Sequence, residues 1–313
     1  MKIIPANRTY AFDPARYFEF ERFADNSGDF YLIEGFIDYR ILDQYKDQKV
    51  IAIELEDPNR FLVNDPNFNH FSWDKYLYKV LSICPYTAEW LNSIGPSNKY
   101  QHIFFPFNEK YIPRAQEKKY DVIYTGHIHS QELFEIVRTI SRFDYRFVSG
   151  HPSQYVTDFN VSYFEKLDLI AQTKVMVVNN LLFPTCDQLK TLIKIRHWQM
   201  NEAFADVLEK YDRLNDIWES NVYLPQLKSR VFEAAFSKTL ILCRRDRWNV
   251  IERYFIPDEE FVSYEEGDLE KRIKEILNNW DHFRNVAQKA YARAVRNYTT
   301  EAFFSKFIKD VDR

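Results

Sequence analysis

Three cysteines in 313 residues, Cys84, Cys186 and Cys243, are too few and too widely spaced for a disulfide framework. Two of them sit in apolar runs, where a reduced thiol behaves as a small hydrophobe, so a reducing, cytoplasmic compartment is expected. A strong charge of either sign is lacking too, the formal net charge being -4. Non-specific nucleic-acid binding needs a basic field, so nucleic acid is not an expected partner. No uninterrupted apolar run reaches the length that crosses a bilayer, and MKIIPANRTYAFDPARYF has no basic segment followed by an apolar core. Neither a membrane span nor a signal peptide is expected. Internal repeats and low-complexity tracts are absent, as are the zinc spacings HExxH and CxxC. His127 and His129 form an HxH pair without a nearby third ligand, so no metal is expected.

What is present suits a soluble globular chain. At 46% hydrophobic and 28% charged, 313 residues can bury two cores. Aromatic residues are abundant, with 21 Tyr and 27 Phe; most are expected in cores and strands, and the same ring faces suit the C–H face of a pyranose. Short apolar runs at 30–36, 49–56, 79–84 and 102–105 alternate with polar or helical stretches, which predicts a parallel α/β sheet. The polar stretch YIPRAQEKK (111–119) has no apolar period and reads as a linker. Beyond it the pattern restarts with strand 121–126, an amphipathic helix from Ser130 to about Arg142 and strand 145–150, one βαβ unit whose turn glycine, Gly126, opens a helix N-terminus.

A long helical stretch, 186–219, follows strand 174–180. It reads either as a packed helix pair within the domain or as an inserted hairpin for an acceptor, a membrane surface or a partner protomer, and so as a homo-oligomer contact. The acidic residues Asp206, Glu209, Asp212 and Asp216 argue against the membrane. Further elements are a helix 229–236, a strand 239–243, a helix near 249–255, a strand 259–264 and a helix N-capped by Asp268. The tail carries two helical segments broken near 298–300. The expected domains are 1–113, 114–285 and a helical tail, 286–313.

The string LPQLKSRVFEAAFSKTLILCR (224–244) carries the chemistry. Arg230 and Glu233 share one helix face near an end whose N–H groups favour anions. A guanidinium holds phosphate oxygens bidentately and a carboxylate accepts vicinal hydroxyls, which together suit a ribose diphosphate. An exposed i, i+3 ion pair is the alternative. The string resembles the donor-binding helix of group 1 GT-B glycosyltransferases, including the spore-maturation-type branch, in which Arg-x-Phe-Glu precedes a break and an apolar strand.

That resemblance implies the GT-B architecture, two Rossmann-like α/β domains with parallel sheets facing a cleft, the tail returning to the N-terminal domain. It implies transfer of a sugar from a nucleotide-sugar donor to a saccharide, lipid-linked or protein acceptor, with no metal or other cofactor required. Glu233 matches the carboxylate that takes the ribose hydroxyls and Arg230 the cation on the diphosphate, with Lys228, Gly126 and His127 beside them. The base falls to the N-terminal domain, with Asp57, Asp65 and His70 as candidates alongside Glu34 and Glu56. Two positions depart from the pattern. Pro225 stands where retaining members carry Glu, leaving the stereochemistry open, and Ser237-Lys238 stands where Gly is usual, which asks Lys238 for a left-handed backbone. A non-catalytic GT-B-like binding module and a nucleotide-sugar epimerase are the alternative readings.

Overall fold

The structure is a computed structural model and describes residues 2–3, 23, 30–34, 39–62, 76–95, 98–197 and 223–309. The chain opens with strands β1 (Lys2–Ile3), β2 (Phe30–Glu34), β3 (Lys49–Glu54) and β4 (Lys79–Ser82), then helix α1 (Pro85–Ile94) and strand β5 (Tyr100–His102). Strand β6 (Tyr120–Thr125), helix α2 (Gln131–Ile140), strands β7 (Tyr145–Ser149) and β8 (Asp158–Phe159), helix α3 (Tyr163–Ala171) and strand β9 (Thr173–Val178) follow. Next come β10 (Leu181–Leu182), α4 (Cys186–Lys194), β11 (Leu224–Pro225), α5 (Arg230–Phe236), β12 (Leu240–Arg244) and β13 (Val262–Tyr264). Helices α6 (Leu269–Asn278), α7 (Trp280–Asn297) and α8 (Thr300–Phe307) complete the order.

The chain divides into two compact units. Unit 1 holds 1–105, 181–226 and 304–313; unit 2 holds 106–180 and 227–303. In unit 1 the order β1-β2-β3-β4-β5 is parallel throughout. Strand β3 is buried from Val50 to Glu54, the continuous burial of a parallel strand covered on both faces. In unit 2 the order is β13-β12-β9-β6-β7-β8, again all parallel. All five residues of β12, LILCR, are buried.

The units differ from the sequence-predicted domains. Residues 181–226 fall within the predicted second domain but group with unit 1. The cause is packing: β10 pairs antiparallel with β11, and Leu189 and Leu192 of α4 enter one apolar cluster with Leu42, Val50, Phe61 and Leu91. The described part of the 186–219 stretch thus spends its apolar face on the core of unit 1; residues from 198 lie outside the described residues. The tail splits as well, because α7 belongs to unit 2 and 304–313 belong to unit 1. Its break at 298–300 has a visible cause: Phe107 N–H donates to Tyr298 O and Thr300 N–H to Phe107 O, which diverts the backbone from the helix ladder.

Local chemistry fixes the elements around the Gly126 turn. Ser130 caps α2, its hydroxyl accepting from Leu133 N–H at 3.2 Å, and Leu133, Ile136, Val137 and Ile140 are buried at helical spacing. Replacing Ser130 with alanine is expected to lower stability by about 1 kcal/mol, read as a shift in urea midpoint at constant slope. Asp268, in contrast, occupies the N-cap of α6 without a side-chain cap bond. Lys238 does take the left-handed backbone, with φ of 52°.

Candidate functional site

In open parallel sheets, ligands bind beyond the carboxyl ends of the strands. At that edge of unit 2, β6 ends in Tyr124-Thr125 and turns at Gly126, whose φ of 131° is readily adopted only by glycine. Beside it β7 ends at Ser149, followed by Gly150 and His151. Helix α5 begins nearby with Arg230, whose Nη2 lies 2.6 Å from where a Cβ on residue 126 would stand. The absence of a side chain there gives the guanidinium its seat. Arg230 Nη1 donates to the Tyr124 hydroxyl at 3.3 Å, and the guanidinium carbon lies 5.4 Å from that ring's centroid. Among the described residues no carboxylate pairs with Arg230.

Three imidazoles and a lysine surround this cation. His127 stacks on His151 with centroids 3.9 Å apart and planes 16° apart, and its Nδ1 lies 3.4 Å from Ser149 Oγ. That hydroxyl accepts the His151 N–H at 3.0 Å, fixing the second loop. Desolvation, His151 and Arg230 hold the His127 pKa below its ordinary value. Desolvation, then Lys228 and Arg230, bring His129 to about 4. At neutral pH His129 is therefore uncharged, and Arg230 and Lys228 carry the positive charge. The Lys228 backbone is fixed by its N–H donating to Asn180 Oδ1 at 3.0 Å.

Glu233, one turn along α5, is 1% exposed. It does not pair with Arg230. Its Oε1 takes Lys166 Nζ at 2.8 Å and Ser229 Oγ at 3.3 Å, while its Oε2 has no hydrogen-bond partner among the described residues. A buried carboxylate oxygen left in that state costs free energy until a donor reaches it. The arrangement therefore combines an uncompensated guanidinium over a glycine turn with an acceptor oxygen one helical turn away. It can hold a phosphate at one end and a hydroxyl at the other.

The sequence-named residues Gly126, His127, Lys228, Arg230 and Glu233 all lie in unit 2 around these loops. Tyr124, Ser149, His151 and Lys166, which complete the arrangement, were not singled out from the sequence. His151 alone carried a signal, as the residue after a strand and glycine, like His127.

In unit 1, Asp57 is fully buried and accepts from Arg60 Nε at 2.7 Å and Ser82 Oγ at 2.6 Å. This is a structural ion pair rather than a carboxylate presented to solvent. Glu56 is held by Gln226 Nε2, which donates to its backbone carbonyl at 2.7 Å and lies 3.4 Å from Oε2. Asp65 and His70 lie outside the described residues, as does the Glu34 side chain. Among the described residues no set of three His, Cys, Asp or Glu side chains converges as metal ligands, and no helix is long and apolar enough to cross a membrane.

Residues 191–309 match a family model described as glycosyl transferase-like, a stretch shorter than half the chain. Comparison with curated proteins finds no match. Among solved structures the chain is similar to the sucrose-phosphate synthase of Thermosynechococcus elongatus, with TM-score 0.57, 12% identity, and 91% of this chain and 73% of that one covered. It is similar to Anabaena HepE in complex with UDP-glucose, with TM-score 0.55, 8% identity and coverage of 91% and 78%. It is also similar to a mutant of S. aureus TarM in complex with UDP and saccharides, with TM-score 0.55, 9% identity and coverage of 92% and 56%, so this chain spans little more than half of TarM. The fold is that of the GT-B glycosyltransferases, two parallel α/β units in one chain.

Proposed function

We propose that this protein is a glycosyltransferase whose second unit binds a nucleotide-sugar donor. The observation that carries the reading is the Arg230 guanidinium seated over the Gly126 turn without a carboxylate partner among the described residues. A diphosphate supplies the missing negative charge, and charge-assisted bonds to a guanidinium are the strong class of hydrogen bond. The unpartnered Oε2 of Glu233 accepts a ribose hydroxyl. The UDP complexes of TarM and HepE agree with this donor class, and the Arg-Val-Phe-Glu string favours the spore-maturation-type branch.

Catalysis rests on positioning and on cations that stabilise the diphosphate as it leaves. Arg230 and Lys228 fill the role a divalent metal plays elsewhere, so EDTA leaves the rate unchanged. The acceptor is a saccharide, a lipid-linked sugar or a protein, and a base activates its hydroxyl. Asp65 and His70 are the base candidates, because Asp57 is committed to Arg60 and Ser82. Burial pushes the Cys84 thiol up to about 11 and raises Cys243 as well, and both cysteines are free, which suits a reducing cytoplasm.

A panel of nucleoside diphosphates and nucleotide sugars tests the reading. One of them should raise the thermal midpoint, because a ligand at about 100 times its Kd adds about 2.7 kcal/mol to the folded state. The same nucleotide's sugar should be hydrolysed slowly in the absence of acceptor. A panel in which no donor shifts the midpoint and none is turned over ends the enzyme reading. Stabilisation without turnover supports the binding module instead, and isomerisation of the sugar the epimerase.

A further inference from the structure

A second cationic arrangement lies in unit 2 at the opposite end of its strands. Lys118 precedes β6, Ala171 closes α3 just before β9, and Thr239 precedes β12, so this is the amino edge of the sheet, away from the Gly126 turn. A cavity of about 440 Å³ opens there, walled by Arg114, Lys118, Ser237, Lys238, Trp280 and Arg284. That volume falls in the range of small-molecule sites. Four of these six residues are basic, and Glu117, whose side chain is exposed, is the one acid on the wall.

The cations are placed there at a cost. Lys118 is half-buried, donating to Ala171 O at 2.8 Å and Thr239 Oγ1 at 2.9 Å, with no carboxylate paired to it among the described residues. Burial and the charge of Lys238 together bring its pKa down to about 7. Lys238 holds its left-handed backbone directly after α5, its Nζ over the Tyr291 ring at 4.4 Å from the centroid. Ser237, 5% exposed, lines the cavity with a hydroxyl that has no hydrogen-bond partner among the described residues. Two crowded ammonium groups, two guanidinium groups and an unpartnered hydroxyl around one concavity are an incomplete set, and a compact oxyanion completes it.

We propose that this cavity is a binding site for a phosphate-bearing small molecule, held by Lys118, Lys238, Arg114 and Arg284, with the Ser237 hydroxyl as a further donor. The site is separate from the one at Arg230 and stands whether or not the donor reading holds. Trp280 supplies an apolar wall against which the body of a phosphorylated sugar can rest.

Titration calorimetry with inorganic phosphate and with glucose 6-phosphate tests it on the full chain. Binding of at least one probe below about 1 mM is expected, and Lys118→Met and Arg284→Ala should each weaken it about tenfold or more. Arg230→Ala should leave it unchanged. At a pH of about 8 the anion should draw a proton onto Lys118, seen as a heat that varies with the buffer's ionisation enthalpy, and Lys118→Met should abolish that dependence. The sign follows from a free-protein pKa of about 7, which a nearby anion raises. Tighter binding of glucose 6-phosphate identifies a phosphorylated sugar as ligand; tighter binding of phosphate identifies the free ion. Arg284 is exposed on α7, so its variant folds and decides the matter if Lys118→Met does not. Absence of binding by either probe at about 10 mM overturns the site, as does binding that Arg230→Ala removes and Arg284→Ala leaves intact.

Discussion

Replacing Arg230 with alanine is expected to weaken nucleoside diphosphate binding about ten- to a hundredfold, the range of one or two charge-assisted hydrogen bonds. Stability of the free protein should change by less than about 0.5 kcal/mol, since among the described residues no carboxylate depends on this guanidinium. A second readout separates a direct role from disturbance at a distance. The Arg230 charge holds down the pKa values of both His127 and His129, so in Arg230→Ala both imidazoles should titrate higher, as followed by NMR. Unchanged nucleotide affinity together with shifted histidines would remove Arg230 from the donor site while confirming its place in the structure. Glu233 calls for a gentler change, because it is buried against Lys166. Glu233→Gln keeps the volume and is expected to lose nucleoside affinity, whereas Glu233→Ala should also unsettle the fold by leaving Lys166 uncompensated.

The Asp57→Ala variant should lose about 3–5 kcal/mol of stability, the cost of leaving a buried partner charge unmatched. Arg60 is 2% exposed and Asp57 is fully buried, so water cannot take over the contact. Urea unfolding of Asp57→Ala and Asp57→Asn beside the wild type is the measurement. The amide keeps the shape and one acceptor, and its loss should be smaller. A variant that unfolds like the wild type yet has no transferase activity would reverse the assignment and return Asp57 to the reacting groups.

Much of unit 2 is legible in the sequence. The β6-α2-β7 segment announces itself because a continuous apolar run, a glycine, a helix-period stretch and a second run each report a local physical preference. Arg230 and Glu233 stand out for the same reason: their residue types and their spacing along one short helix are local features. The left-handed Lys238 could be expected from the absence of glycine after that helix. What could not be read is what depends on distant residues. Nothing local in Asp57-Pro58 tells that Arg60 and Ser82 enclose the carboxylate, since an aspartate before proline reads equally well as a turn. Lys166 meets Glu233 from another helix, and Tyr124 meets Arg230 across the sheet edge. The two-residue strands β10 and β11 are too short to leave a periodic signal, so the membership of 181–226 in unit 1 stayed hidden.

That membership bears on how the chain is made. Unit 1 begins at the first residue yet draws Leu189, Leu192 and Leu224 into its apolar cluster, and its last segment, 304–313, brings Phe307 to within 5.3 Å of Phe104, ring centre to ring centre. Domains tend to fold as units in the order they leave the ribosome. Here the sheet of unit 1 waits for residues translated about two hundred positions after it, whereas 106–180 with 227–303 can close on themselves before 304 emerges. Emergence of Leu189, Leu192, Leu224 and Phe307, rather than of residues up to 105, is then the event that lets unit 1 finish. A fragment cut at residue 113 would carry that sheet with part of its core missing.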